Sequence, residues 1–191
     1  GSELGRGRGG NETFIAGLIE GLAALPSRPE TSLLTCEWDG ARSLPRSFRA
    51  IELGPYRRLP FFLYQQTRAL HRLEPDWYLS NYYLPSALPC RGAVVVHDLS
   101  FRVHPEWFPR GVAWYMRWLV GWALERAEQV ITVSEFSRDE LLRFYPETAG
   151  KVAVVANGIG REFMPADGLD QQRADRQAIS VYGVAAPYVL A

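Results

Sequence analysis

His97 and Asp98 stand side by side directly after Ala93-Val94-Val95-Val96, the most continuous apolar and largely β-branched run in the chain. Such a run is expected of a parallel strand covered on both faces, and ligands of an open α/β sheet gather at the carboxyl ends of its strands. An imidazole placed there can hydrogen-bond a hydroxyl or change charge near neutral pH. The carboxylate beside it can accept a proton or a hydroxyl hydrogen bond. The plainer alternative is a pair that ties down the following loop. A second candidate is the glycine-rich Gly5-Arg6-Gly7-Arg8-Gly9-Gly10-Asn11-Glu12, which opens a helix. Glycines let the backbone approach a phosphate, and a helix N-terminus offers free N–H groups and partial positive charge. As a dinucleotide fingerprint the stretch is poor. No strand precedes it, and no acidic residue ends a second strand at the required distance. Ser134 follows the apolar run Val130 to Val133, where a helix cap explains it as well as ligand contact does. Asn157-Gly158 closes a third run, where a plain turn is the simpler reading. His71 and His104 are placed as surface or structural residues. No nucleophile elbow is present, so spacing supports no Ser-His-Asp arrangement.

Apolar periodicity supplies the elements that must carry these residues. Phe14, Ile15, Leu18, Leu22 and Leu25 recur at helical spacing, which predicts a helix over 12–25 with Asn11 as N-cap and Pro26 as its stop. Short strands are predicted at 32–36, 48–53 and 77–79, with a helix of basic face over 58–73. Strands at 93–96, 130–133 and 152–155 read as buried and parallel. Leu99 to Arg110, with Pro105 and Pro109, reads as a loop. Val112 to Ala127 is a long aromatic helix whose Trp114, Tyr115, Trp118 and Trp122 are expected in the core or against another domain. Ser137-Arg138-Asp139-Glu140 matches a capping box, starting a short helix that ends before Pro146. Strands separated by helices imply a Rossmann-like, doubly wound α/β parallel sheet with right-handed crossovers. The domain reading is 1–165 as the α/β domain, 166–186 as a linker or exposed helix, and 187–191 as the start of another domain. A glycine-rich opening without a preceding strand, and an ending inside an apolar run, read as truncation.

Composition narrows the partners. The chain has 191 residues and no formal net charge, so it carries no whole-chain electrostatic footprint for nucleic acid. Cys36 and Cys90 lack metal-ligand spacing and read as two buried, reduced thiols, which makes the cytoplasm the default compartment. No run reaches the roughly 20 apolar residues of a membrane span. A peripheral seat at the inner membrane face, through the aromatic helix and Arg57, Arg58, Arg68 and Arg72, is the secondary reading.

Taken in order, several segments resemble retaining glycosyltransferase family 4. They are Gly9-Gly10-Asn11-Glu12-Thr13-Phe14, Val95-Val96-His97-Asp98-Leu99, Val130 to Ser137, Lys151 to Ile159, Phe163-Met164-Pro165 and Pro187-Tyr188-Val189-Leu190. The resemblance implies the GT-B architecture, two Rossmann-like domains facing across a cleft, with this chain as the N-terminal, acceptor-side one. It implies transfer of a hexose, in the manner of a mannosyltransferase of polysaccharide biosynthesis, from a nucleotide sugar to a glycan, lipid or small-molecule acceptor with retention. Gly9, Gly10 and Asn11 would then lie by the donor phosphates, His97 and Asp98 would be catalytic, and Ser134 and Asn157 would line the cleft. The expected co-substrate is the nucleotide sugar, with no metal and no other cofactor, since no Asp-x-Asp motif is present. A missing C-terminal domain would hold the donor, leaving the fragment inactive. The rival readings are a non-catalytic module that binds glycan or phosphate, and a nucleotide-dependent oxidoreductase.

Overall fold

The structure, a computed structural model, describes residues 10–27, 29–36 and 44–158. Gly9, the linker expected at 166–186 and the apolar run at 187–191 lie outside them. Apart from Gly158, the described residues belong to one compact unit, Gly1–Asn157.

Helices and strands alternate, and every strand pairing is parallel. Helix α1 (Gly10–Ala23) leads to β1 (Thr31–Thr35) and β2 (Phe48–Glu52). A helical stretch follows, made of α2 (Arg58–Pro60), a π-turn (Phe61–Gln65) and α3 (Gln66–Leu73). Next come β3 (Trp77–Asn81), β4 (Arg91–Val95), the short α4 (Ser100–Val103) and α5 (Val112–Arg126). The last elements are β5 (Gln129–Thr132), α6 (Glu135–Phe144) and β6 (Val152–Val154). The strands form two sheets among the described residues, β1–β2 and β3–β4–β5–β6, rather than the one sheet expected.

The core belongs to the larger sheet. Val94, Val96 and Val130 are fully buried, and so are Val120, Leu124 and Leu141 of α5 and α6 packed on them. This explains why those strands read as unbroken apolar runs: both faces are covered. Gly92, the second residue of β4, sits closely under Leu88: a Cβ there would lie 2.6 Å from Leu88 Cδ2. The base of this sheet is tied by Arg91, which holds Glu128 with two donors and lies 4.1 Å from the Trp77 ring centroid. Lys151, the chain's single lysine, donates to Ala127 O at 2.9 Å and Glu125 O at 3.3 Å. It thereby caps the carbonyl end of α5, where a cation is favoured.

Several local expectations change. Helix α1 starts at Gly10, so Asn11 lies in its first turn and is not its N-cap; it closes at Ala23 because the turn before Pro26 tightens into shorter bonds. The stretch expected as a loop after Leu99 holds α4 and a 3₁₀ turn, Pro105–Trp107, which proline opens because its missing N–H is not needed there. Helix α6 starts at Glu135, capped by Ser134, and Ser137 is its third residue rather than its cap. Trp114 and Trp118 are 71% and 51% exposed, whereas Trp122 packs against the core, so only part of the aromatic stripe meets the core of this unit. Cys36 is buried but Cys90 only half so, and both are free thiols.

Candidate functional site

The carboxyl ends of β4 and β5 hold the candidate residues together through their backbone. Thr132, buried at the end of β5, donates its hydroxyl to Val96 O at 2.8 Å, and Val96 N donates to Ile131 O. One turn later Ser137 Oγ donates to His97 O at 2.9 Å. Ser134 Oγ accepts from Ser137 N and donates to Ser137 Oγ. The cap of α6 therefore fixes the backbone of His97. Ser134 spends its hydroxyl on this network, which is the structural half of the two readings given it.

The His97 ring sits half-buried between two aromatic rings. Phe14, in the second turn of α1, meets it edge-on with centroids 4.6 Å apart, and Tyr82 lies 5.7 Å away, tilted by 51°. The Phe14 contact brings the N-terminal half of α1 to the end of β4. Nε2 of His97 is buried without a hydrogen-bond partner in the structure. Burial lowers the imidazole pKa below its usual 6.5, against the opposing pull of the Asp98 carboxylate. The neutral ring is thus favoured, with one nitrogen to donate and one to accept.

Asp98 is exposed and turned toward the loop. Its Oδ1 accepts from Ser100 N at 2.8 Å and Ser100 Oγ at 2.5 Å, so it caps the turn into α4. Its Oδ2 accepts from the Tyr82 hydroxyl at 3.3 Å. Tyr82 reaches it from a left-handed backbone, φ 61°, just past the end of β3. Burial first, and then the Asp98 charge, push the Tyr82 phenol well above its usual pKa, so it stays a neutral donor. Asp98 therefore does the loop-tying work of the plainer reading and keeps an exposed face as well.

The other candidates are placed less closely. Asn11 is exposed on the first turn of α1, and a Cβ at Gly10 would meet nothing within 4 Å. Asn157 is exposed beyond β6, two strands away from β4. His104 is bonded to Glu106 at 3.0 Å and stacked on Trp107, a surface arrangement. A cavity of about 880 Å³ adjoins the site, with Asn11, Phe14 and Tyr82 in its wall. Among the described residues no group of three or more His, Cys, Asp or Glu could hold a metal ion, and no helix is long and apolar enough to cross a membrane.

The sequence that builds this parallel sheet matches the model of a known family. Residues 8–163 match the model of Glycosyltransferase Family 4. The chain belongs to that family. A curated relative is the O-antigen chain mannosyltransferase B of Escherichia coli, 29% identical over 119 residues. The aligned stretch covers 57% of this chain and 31% of that protein.

Within this family 4 chain, the residues that sequence reasoning passed over are Phe14, Tyr82 and Ser100. Phe14 looked like one more apolar position of an amphipathic helix. Tyr82 follows a strand read as ending at Leu79, whereas β3 runs on to Asn81. The usable signal was Ser100 two residues after Asp98, the spacing of an Asx turn.

Proposed function

We propose that this chain is the acceptor-side half of a retaining glycosyltransferase that moves a hexose, mannose first among candidates, from a nucleotide sugar to a glycan, lipid or small-molecule acceptor. The observation that carries the reading is the unpartnered, buried Nε2 of His97, held by a hydrogen-bonded backbone at the carboxyl edge of a parallel sheet. A buried ring nitrogen without a partner costs about 1–3 kcal/mol, and a substrate hydroxyl arriving at this edge would satisfy it. Family membership supports the transferase class, and the relative's name supports the mannosyl choice.

In this reading His97, neutral at working pH, donates or accepts a hydrogen bond at a sugar hydroxyl and orients the reacting sugar. Asp98, with Tyr82 and Ser100 occupying its inner lone pairs, turns its remaining capacity to the acceptor side. Gly9, Gly10 and Asn11 bring the start of α1 to the donor diphosphate, where N–H groups and the helix dipole offset its charge. Asn157 and Ser134 border the same edge. A C-terminal domain supplies the rest of the donor site, and no metal takes part. The test is a panel of nucleotide sugars, GDP-mannose included, offered with lipid-linked and free glycan acceptors to the full-length protein. Hexose transfer with the donor's anomeric configuration kept is the expected result. Nucleotide-sugar or glycan binding without transfer by any donor would favour the non-catalytic binding module instead.

A further inference from the structure

Two arginines lie half-buried where α4, α5 and the end of α6 meet, and among the described residues neither pairs with a carboxylate. Arg102 belongs to α4 and Arg117 to the second turn of α5. Arg117 Nη2 donates to Arg102 O at 3.1 Å, which joins the two elements. The Arg102 guanidinium carbon stands 5.3 Å from the Tyr145 ring centroid and 5.1 Å from that of Phe144. Tyr145 is the residue that closes α6. Its ring reaches back to α5: a Cβ at Gly121 would lie 3.4 Å from Tyr145 Cε1, beside the hydroxyl-bearing carbon. Arg117 precedes Gly121 by four residues, so it occupies the same face of α5, one turn away. The two guanidiniums and the phenol therefore share one junction.

The donors of this junction are poorly used. Nε of Arg102, Nε of Arg117 and the Tyr145 hydroxyl are all buried without a hydrogen-bond partner. Tyr145 as a whole is only 7% exposed. Burial raises the pKa of its phenol, and the charges of Arg102 and then Arg117 lower it, with Glu147 opposing them. Both cations thus act on this hydroxyl, although Arg102 approaches it without hydrogen-bond geometry. A guanidinium stacked on aromatic rings engages them through its face, while its N–H groups lie in its plane and still need acceptors. Each buried donor without one costs about 1–3 kcal/mol. The junction presents a set of donors, two of them cationic, whose matching group is an anion.

We infer that this junction binds the phosphoryl group of a phosphate monoester. Two guanidinium charges suit its dianion. Donors arriving from three separate elements suit a tetrahedral group with three free oxygens better than a planar carboxylate with one charge. The arginines are half-buried, so the rest of the ester lies on the solvent side. The inference does not depend on the transferase reading. Because α4 begins two residues after Asp98, a group held by Arg102 also steadies the turn that Asp98 caps.

The test is made on the full-length protein at constant ionic strength, with inorganic phosphate, glycerol 3-phosphate and acetate as probes. The Nε–Hε signals of Arg102 and Arg117, assigned through Arg102→Lys and Arg117→Lys, report binding by NMR. Both signals are expected to shift with one shared, saturable midpoint for phosphate and for glycerol 3-phosphate, and hardly at all with acetate. The signal of Arg91, already held by Glu128, should stay in place. Arg102→Gln is expected to raise the midpoint by at least about tenfold, and Tyr145→Phe, which keeps the ring, by about fivefold. If Arg102→Gln does not fold, Tyr145→Phe and the acetate comparison decide. Tighter binding of glycerol 3-phosphate than of inorganic phosphate assigns the monoester to a soluble molecule. Sedimentation with phosphatidylcholine vesicles that contain phosphatidic acid, weakened in Tyr145→Phe, assigns it to a lipid headgroup. Shifts that grow without saturation, or that acetate reproduces, overturn the inference. So does a midpoint that neither substitution moves. Binding of inorganic phosphate but of neither glycerol 3-phosphate nor the vesicles would mean an adventitious ion only, and also overturns it.

Discussion

The β4–β5 edge and the β1–β2 sheet are built from the same kind of element, yet they are held in different ways. At the first, hydroxyls of Thr132 and Ser137 bind the carbonyls of Val96 and His97, and fully buried valines and leucines lie beneath. At the second, the buried cluster comprises Leu34, Ala69 and Leu70, and half of β1 remains accessible. The contrast teaches where rigidity resides. The edge that carries His97 is fixed by packing and by side-chain bonds to its backbone, whereas the β1–β2 pair rests mainly on its own ladder and one helix face. A group that must meet substrate within tenths of an ångström is better placed on the former.

The strongest test of this contrast is a pair of truncations read by urea unfolding. Leu141→Ala removes a fully buried side chain from the larger core and is expected to cost about 2–5 kcal/mol. Leu33→Ala, in half-buried β1, is expected to cost no more than about 1 kcal/mol. Equal losses would mean that β1 is packed as firmly as the larger core, against the contrast drawn here.

Ser134→Ala sharpens the comparison at its hinge. It removes the cap of α6 and the partner of Ser137, and about 1 kcal/mol should be lost. Exchange of amides in α6 and near His97 should quicken together, while β1 amides stay unchanged. Faster exchange confined to the first turn of α6 would show that Ser137 holds the His97 carbonyl without help.

A smaller effect is expected from pH. The folded-state pKa of His97 lies below its unfolded value, taken as 6.5. The unfolded chain therefore binds the proton more readily. His97's contribution is fully present above pH 6.5 and is lost as pH falls from there through the folded pKa, after which it levels off. Urea midpoints measured from pH 7.5 down to pH 5 should fall further for the natural chain than for His97→Gln. An NMR titration of His97 at or above 6.5 would remove the basis for a neutral imidazole.

Much of this was legible in the residues because the larger sheet obeys strong local rules. Val94 to Val96 and Val130 announce buried strands, and His97 falls at a strand end by simple counting. The division into two sheets was not legible, because β1 and β2 have ordinary short apolar patterns whichever neighbours they find. Two serines three apart, Ser134 and Ser137, each satisfy a cap pattern. The end of β5 at Thr132 is what decides between them, and sequence fixes such boundaries poorly. The partners of His97 were hidden for a different reason. Phe14 and Tyr82 come from α1 and the end of β3, and only tertiary folding brings them to the ring. Trp114 and Trp118 are exposed in this unit, which removes the core half of the expectation for them; periodicity could not decide it, because a helix apolar on most of its surface has no clear outward face.

The central claim is that His97 serves the reaction and not merely the fold. It is tested most directly by measuring kcat of the proposed transfer beside a thermal melt for His97→Ala, with His104→Ala as control. Loss of a hydrogen bond made to the sugar as charge develops should lower kcat by about 10²-fold, with a melting temperature close to that of the natural protein. His104→Ala, which loses only an exposed contact to Glu106 and a stacked Trp107, should leave kcat nearly unchanged. If His97→Ala melts several degrees lower yet turns over normally per folded molecule, the imidazole is an anchor for the loop after β4, and the catalytic assignment is contradicted.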